Sequence, residues 1–228
     1  MNQNNKDRIS IQVGLNGYSF RLESDGQSQQ SSEWVSADCL FTSPELQKKY
    51  DEVTISVFTH CVTLVPDQFY EPADMRKVLK DVADISDSDV VDSIELPEFG
   101  AVMVYSNNKV EKLSRLMAET VVKTDGSQAR PLPELYHMLK ALDTVKEYNK
   151  IIASYSDGYL YLVVAQGKSL LLCNSFKACD FTTAEYFIFL VMKKLQLNPE
   201  VSSICFRTAL EQEQEMSLYR YFKSVETI

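Results

Sequence analysis

The sequence predicts a soluble, acidic α/β protein built from two similarly patterned halves. Three observations carry that expectation. A short signature occurs twice: Asn16-Gly17-Tyr18-x-Phe20-x-Leu22 followed by Gly26-Gln27, and Asp157-Gly158-Tyr159-x-Tyr161-x-Val163 followed by Gly167-Lys168. In both copies the two glycines stand nine residues apart, and each copy reads as a tight turn, an alternating strand and a second turn. The same order of elements, β-β-β-α-β-α, surrounds each copy. Residues 123–133, KTDGSQARPLP, mix Gly and Pro with polar residues as an interdomain linker does. The expected units are residues 1–124 and 125–228.

In the first half, apolar patterning predicts strands over 9–13, 18–23 and 34–41. Tyr18, Phe20 and Leu22 alternate with Ser19, Arg21 and Glu23, so this strand keeps one face on solvent. Residues 24–32, SDGQSQQSS, read as a mobile excursion. A short helix starts with Ser43 as N-cap and Pro44 at its first position. A strand over 53–58 follows, then a helix over 72–84 with Met75, Val78, Leu79 and Val82 on one face. Between the repeats lie a strand pair, 92–96 and 101–105, and helices over 109–118 and 134–148. The last carries Leu135, Met138, Leu139, Leu142 and Val145 on one face and is expected to pack across the junction of the halves.

In the second half, strands are expected over 151–155, 159–165, 169–174 and 201–206, with helices over 182–197 and 211–223. Thr182-x-x-Glu185 forms a capping box, with Phe181 stapled onto Tyr186. Residues 159–164 are apolar throughout, which predicts cover on both faces of the strand. Residues 186–192 are apolar all round their helix. The expectation is that this is the most buried helix of the chain.

Charge narrows the function. The chain has 32 acidic and 23 basic side chains, a net charge of -9. Such a surface repels phosphate backbones and anionic lipid. No basic run exceeds a lysine pair, Lys48-Lys49 or Lys193-Lys194, so no nucleic-acid partner is expected. The N-terminal MNQNNKDR has no apolar signal region. The longest strongly apolar stretch falls far short of the roughly 20 residues of a membrane span. The five cysteines are odd in number and mostly lie in or beside apolar runs. They read as reduced, buried thiols of a cytoplasmic protein.

Motifs that suggest chemistry do not complete. Gly167-Lys168-Ser169 resembles the end of a phosphate loop, but the earlier glycine it requires is Leu162 and its context is strand-turn-strand. His60 and Cys61 are adjacent in a strand and point to opposite faces. Cys173 and Cys179 lack zinc-site spacing, with no His nearby. Asp84, Asp87, Asp89 and Asp92 lack the glycine and terminal Glu of a calcium loop. Glu211, Glu213 and Glu215 suit the first turn of a helix. No catalytic set, metal or cofactor is expected from these residues.

Two β-β-β-α-β-α units in tandem resemble the actin-like ATPase superfamily, which includes heat-shock chaperones, sugar kinases and the pilus-assembly and cell-division actin homologues. The segments RISIQVGLNGYSF, VTLVPDQFY and DGYLYLVVAQGKSLLLCNSF further resemble an uncharacterised bacterial (bacteroidete) family of unknown function with that fold. The resemblance spans essentially the whole chain. It implies two RNase H-like subdomains whose first hairpin turns are equivalent and related by a pseudo-twofold axis. The implied nucleotide-cleft candidates are Asn16, Gly17, Asp157 and Gly158. In active members such turns are acidic and Gly-rich: an Asp positions Mg²⁺ and water, and backbone N–H groups hold phosphate. Here Asn16 stands where an acidic residue is wanted, and Asp157 lacks the x-Gly spacing. Tyr18 and Tyr159 are expected to crowd a phosphate. The resulting expectation is a non-catalytic interaction or scaffold module with a protein partner, retaining at most weak nucleotide binding. The alternative is a nucleotide-dependent kinase or ATPase with atypical phosphate loops.

Overall fold

The computed structural model describes residues 6–24 and 30–228. By contacts the chain forms two compact units: Met1–Thr59 with Asn107–Pro133, and His60–Ser106 with Glu134–Ile228. The division at 124/125 expected from the repeat follows chain order. Contacts group residues 60–106 with the second unit and 125–133 with the first.

The first unit starts as a hairpin. β1 (Asp7–Val13) pairs antiparallel with β2 (Gly17–Ser24), placing Ile11 opposite Phe20 and Val13 opposite Tyr18. β2 also holds two short pieces, β3 (Gln30–Ser31) and β4 (Val35–Ser36). Residues 24–32 are therefore partly strand, and the expected turn at Gly26-Gln27 lies outside the described residues. The strand expected over 34–41 is cut short because Ala37–Cys39 tighten into a 3-10 turn, leaving Phe41 exposed. Pro44–Gln47 is also a 3-10 turn. Ser43 does not cap it, since its hydroxyl bonds the Tyr18 phenol at 2.8 Å. On its other side β1 pairs parallel with β5 (Glu52–Val57).

The chain then enters the second unit. β6 (Val62–Pro66), β7 (Asp92–Leu96) and β8 (Ala101–Tyr105) form an antiparallel sheet in the order β6-β8-β7. α1 (Met75–Lys80) packs Met75, Val78 and Leu79 with Val65 and Val104. It is shorter than expected: Pro72–Asp74 is a 3-10 turn, and Val82 lies beyond the helix in solvent.

α2 (Glu111–Thr120) returns to the first unit, where Met117 and Ala118 close the core over Ile9, Ile11, Val53 and Ile55. The helix that covers the first sheet is thus α2. β9 (Leu132–Pro133) pairs parallel with β5, and Lys123 bridges to Tyr50. The segment 123–133, expected as a linker, is tied to the first unit at both ends, with Leu132–Pro133 in its sheet.

The remaining elements belong to the second unit: α3 (Glu134–Ala141), β10 (Asn149–Ser156), β11 (Tyr159–Gln166), β12 (Ser169–Lys177), α4 (Phe181–Lys194), β13 (Ser203–Phe206), α5 (Gln212–Tyr219) and β14 (Ser224–Thr227). Their sheet runs β12-β11-β10-β13-β14, and the first sheet runs β3-β2-β1-β5-β9 with β4 also on β2. In each, an antiparallel hairpin is followed by two parallel additions. The repeat expected from the turn signature therefore extends to strand order. β9 and β14 were not legible in the sequence because they are two and four residues long and carry little alternation.

β11 is covered on both faces, as its composition predicts. Leu160, Leu162 and Val164 join Ala184, Ile188 and Leu218 from α4 and α5. α3, with Leu135, Met138 and Leu139 buried, packs on the same sheet. α3 stops at Ala141, where Lys150 takes the carbonyl of Leu142 at 2.6 Å. α5 starts from Glu211, which shares a capping box with Gln214. Among the described residues no helix is long and apolar enough to cross a membrane.

Two expectations about α4 are corrected. Its N-cap is Asp180, which accepts from the Thr183 N–H at 2.7 Å, so Thr182 and Phe181 already lie in the helix. The helix is also covered on one side only. Ala184, Ile188, Val191 and Met192 are buried, whereas Tyr186 is 61% exposed. Replacing Ile188 by Ala is expected to lower the unfolding free energy by about 2–5 kcal/mol. Replacing Tyr186 by Ala is expected to change it by less than about 0.5 kcal/mol. Urea titrations of both variants measure the contrast, and equal effects would contradict the one-sided burial.

Candidate functional site

The two turns singled out in the sequence are built differently. In the first unit, the Gly14 N–H donates to the Gly17 carbonyl at 2.9 Å, which leaves Leu15 and Asn16 at the exposed tip. The Asn16 carbonyl accepts from the Ala37 N–H at 3.1 Å. Gly17 is required for steric reasons and not for a left-handed φ. A Cβ there would lie 2.3 Å from the Val35 carbonyl oxygen and 2.7 Å from the Trp34 Nε1. The missing side chain makes room for the chain's own β4 and for Trp34. Tyr18 does not stand over the turn as expected. Its ring is fully buried in the first core, and burial pushes its phenol above the ordinary value, opposed by the bond to Ser43.

In the second unit, Asp157 has φ 52° and Gly158 φ 73°. Positive φ at both central positions is the type I′ geometry that suits the twist of an antiparallel hairpin and favours Asp-Gly. The Gly158 carbonyl accepts from the Ala178 N–H at 2.8 Å. Tyr159 lies flat on His60, with centroids 4.3 Å apart and planes 3° from parallel. His60 is therefore occupied by a ring, and Cys61 is buried beside it.

Next to this turn the structure assembles a polar cluster that sequence reasoning missed. Ser154 and Tyr161 are register partners in the β10–β11 hairpin, so they share a face of the sheet. Glu134, the first residue of α3, is wholly buried. Its Oε1 accepts from the Ser154 hydroxyl at 2.6 Å and from the Arg207 Nε at 2.9 Å. Tyr161 is pushed well above the ordinary phenol value, first by burial and then by the charges of Asp157 and Glu134. Thr208, beside Arg207, accepts from the Tyr155 N–H at 3.0 Å. The cluster thus sits where β10 and β13 end, and its only sequence signal is a lone Arg closing an apolar strand.

The Glu134 carboxylate is held within this cluster by an ion pair and a hydrogen bond. A fully buried carboxylate stays charged only with a good partner and further hydrogen bonds, and Arg207 and Ser154 supply them. Burial pushes the Cys173 and Cys205 thiols up to about 12, so these two form little thiolate near neutral pH; Cys39 and Cys179 are exposed, against the expectation of buried thiols. Among the described residues no group of three or more His, Cys, Asp or Glu is placed to hold a metal ion.

Over residues 1–225 the sequence matches the model of a family described as "Protein of unknown function (DUF3822)". None of the curated proteins compared matches it. Among solved structures, the chain is similar to a Bacteroides thetaiotaomicron protein of unknown function with an actin-like ATPase fold. That likeness has a TM-score of 0.66 and 16% identity and covers 98% of this chain and 91% of that one. It is also similar to a chain of the PilM-PilN type IV pilus biogenesis complex, with a TM-score of 0.53, 12% identity, and 97% and 88% of the two chains covered. The fold is therefore the actin-like ATPase fold implied by the resemblance.

Two predictions follow from the geometry. Arg207→Ala is expected to destabilise by about 3–5 kcal/mol, since it leaves the Glu134 charge buried and unpaired. A Glu134→Leu/Arg207→Met double variant is expected to lose much less, and urea titrations of single and double variants measure the difference. Gly17→Ala is expected to cost about 1–3 kcal/mol through overpacking. It should also alter the emission of Trp34, the only tryptophan. Unchanged stability and emission would show that Trp34 and β4 do not depend on the glycine.

Proposed function

This chain belongs to the DUF3822 family, and from that premise we propose that it is a non-catalytic interaction or scaffold module on an actin-like ATPase fold. In this reading residues 1–124 and 125–228 are its two repeats, and it acts on a protein partner in the cytoplasm. The observation that carries the reading is the filling of the first turn. A glycine that leaves backbone open to a phosphate needs empty space at its Cβ position. At Gly17 that space holds the Val35 carbonyl and the Trp34 indole. Asn16 adds no charge, and the buried Glu134 is already paired with Arg207. Support of a different kind comes from the PilM-PilN structure, in which a chain of this fold is part of a complex.

The alternative, a nucleotide-dependent kinase or ATPase with atypical phosphate loops, rests on Asp157. Its left-handed backbone places an acidic residue at the tip of the second turn, where a metal-positioning carboxylate would be wanted. Weak nucleotide binding through the base is compatible with either reading, so turnover is the discriminating quantity.

Steady-state phosphate release with Mg-ATP is expected to stay at background for the wild-type chain and for Asp157→Ala. Turnover that disappears on that substitution would establish the enzyme reading and overturn the module.

A further inference from the structure

Residues 186–192 are apolar at every position, a composition that normally belongs to a helix covered all round. α4 buries Ala184, Ile188, Val191 and Met192, and Phe187 and Phe189 pack half-buried against the same core, which leaves the side carrying Tyr186 open. Tyr186 is 61% exposed. Phe189 and Leu190, three and four residues further on, share its face and are only partly buried. The segment after α5 extends this surface. Tyr221 is 52% exposed, and its ring meets Phe189 at 4.8 Å with planes 65° apart. Two exposed rings, Tyr186 and Tyr221, thus flank the half-buried Phe189, which also stacks on the buried Phe222.

The exposed charges on this surface are basic, and the one acidic residue adjoining it on α4, Glu185, is half-buried. Across 186–194 and 219–223 the charged residues are Lys193, Lys194, Arg220 and Lys223, with no Asp or Glu. All four are exposed. Among the described residues none of them makes an ion pair. Lys193 stands one turn beyond Phe189 on the same helix face, and Arg220 and Lys223 bracket Tyr221. In a chain with a net charge of -9, a group of unpaired cations around exposed rings is a local reversal of the overall surface.

We propose that this face of α4 docks an acidic amphipathic segment of a protein partner. Tyr186, Phe189 and Tyr221 take its apolar side chains, and the four cations take its carboxylates. The proposal rests on the interaction-module reading and names the chemistry of the partner. Rigid aromatic side chains and arginine are the types that most often dominate an interface, and the cations steer an acidic segment and fix its register. A short segment meets only the local cations, because charges beyond about 8–10 Å are screened at ordinary salt. An anionic membrane is an extended surface that also meets the acidic remainder of the chain, and a second copy carries the same net repulsion.

The test uses two labelled synthetic peptides with one helical Leu/Phe pattern, the polar positions being Glu in one and Lys in the other. Fluorescence anisotropy with the full chain should show saturable binding of the Glu peptide and little binding of the Lys peptide. Tyr186→Ala and Tyr221→Ala, each checked for native circular dichroism, should weaken the Glu peptide roughly tenfold or more. Combined Lys193→Glu, Arg220→Glu and Lys223→Glu should reverse the preference. The proposal is overturned if the Lys peptide binds as well as the Glu peptide, or if the tyrosine variants bind unchanged. It is also overturned if the patch variants instead abolish sedimentation with phosphatidylserine vesicles or a concentration-dependent dimer. Peptide failure without ATP turnover removes this docking site and leaves the module reading standing. Turnover dependent on Asp157 removes the module reading whatever the peptides do.

Discussion

Burial of β11 on both of its faces is the constraint from which the second unit follows. Residues 160–165 run Leu160, Tyr161, Leu162, Val163, Val164 and Ala165, and none is more than 2% exposed. Successive side chains in a strand point to opposite faces, so such a run leaves two apolar surfaces to cover. Leu160, Leu162 and Val164 are covered by α4 and α5. The other face, with Tyr161, Val163 and Ala165, requires a second layer, and α3 lies against the same sheet. The parallel additions β13 and β14 then extend the sheet on the β10 side.

The same constraint explains the polar cluster. Ser154, paired in register with Tyr161, is wholly buried, and its hydroxyl needs a partner. Glu134 supplies the acceptor, and its buried charge in turn needs Arg207. One hydroxyl, one carboxylate and one guanidinium therefore tie the first turn of α3 to the ends of β10 and β13. This coupled arrangement fixes where α3 meets the sheet.

The two turns share Gly-Tyr in sequence yet solve different problems. Asp157-Gly158 reverses the chain with two positive φ angles. Gly17 begins a strand and lets β4 and Trp34 approach. A glycine is compatible with both uses, so the repeated signature marks where a hairpin lies without specifying which kind. The following tyrosines differ in the same way: Tyr18 is core, and Tyr159 stacks on His60.

Local pattern was enough to place most strands, the repeated hairpin, and the two-sided cover of β11. It was also enough to mark the two turns. These properties are set by neighbours along the chain, whose alternation and turn chemistry leave a trace over a few residues. What the tertiary structure alone decided is which surface meets which. Glu134 and Arg207 are 73 residues apart and Ser154 and Glu134 are 20 apart, and no local period links them. α2 covers the first sheet while the helix after Pro72 packs in the second unit, and Leu132–Pro133 joins the first sheet, because a helix or short strand records in its sequence that one face is apolar but not what covers it. For α4 the sequence recorded apolar residues on every side, and only the packed structure left one of those sides open to solvent.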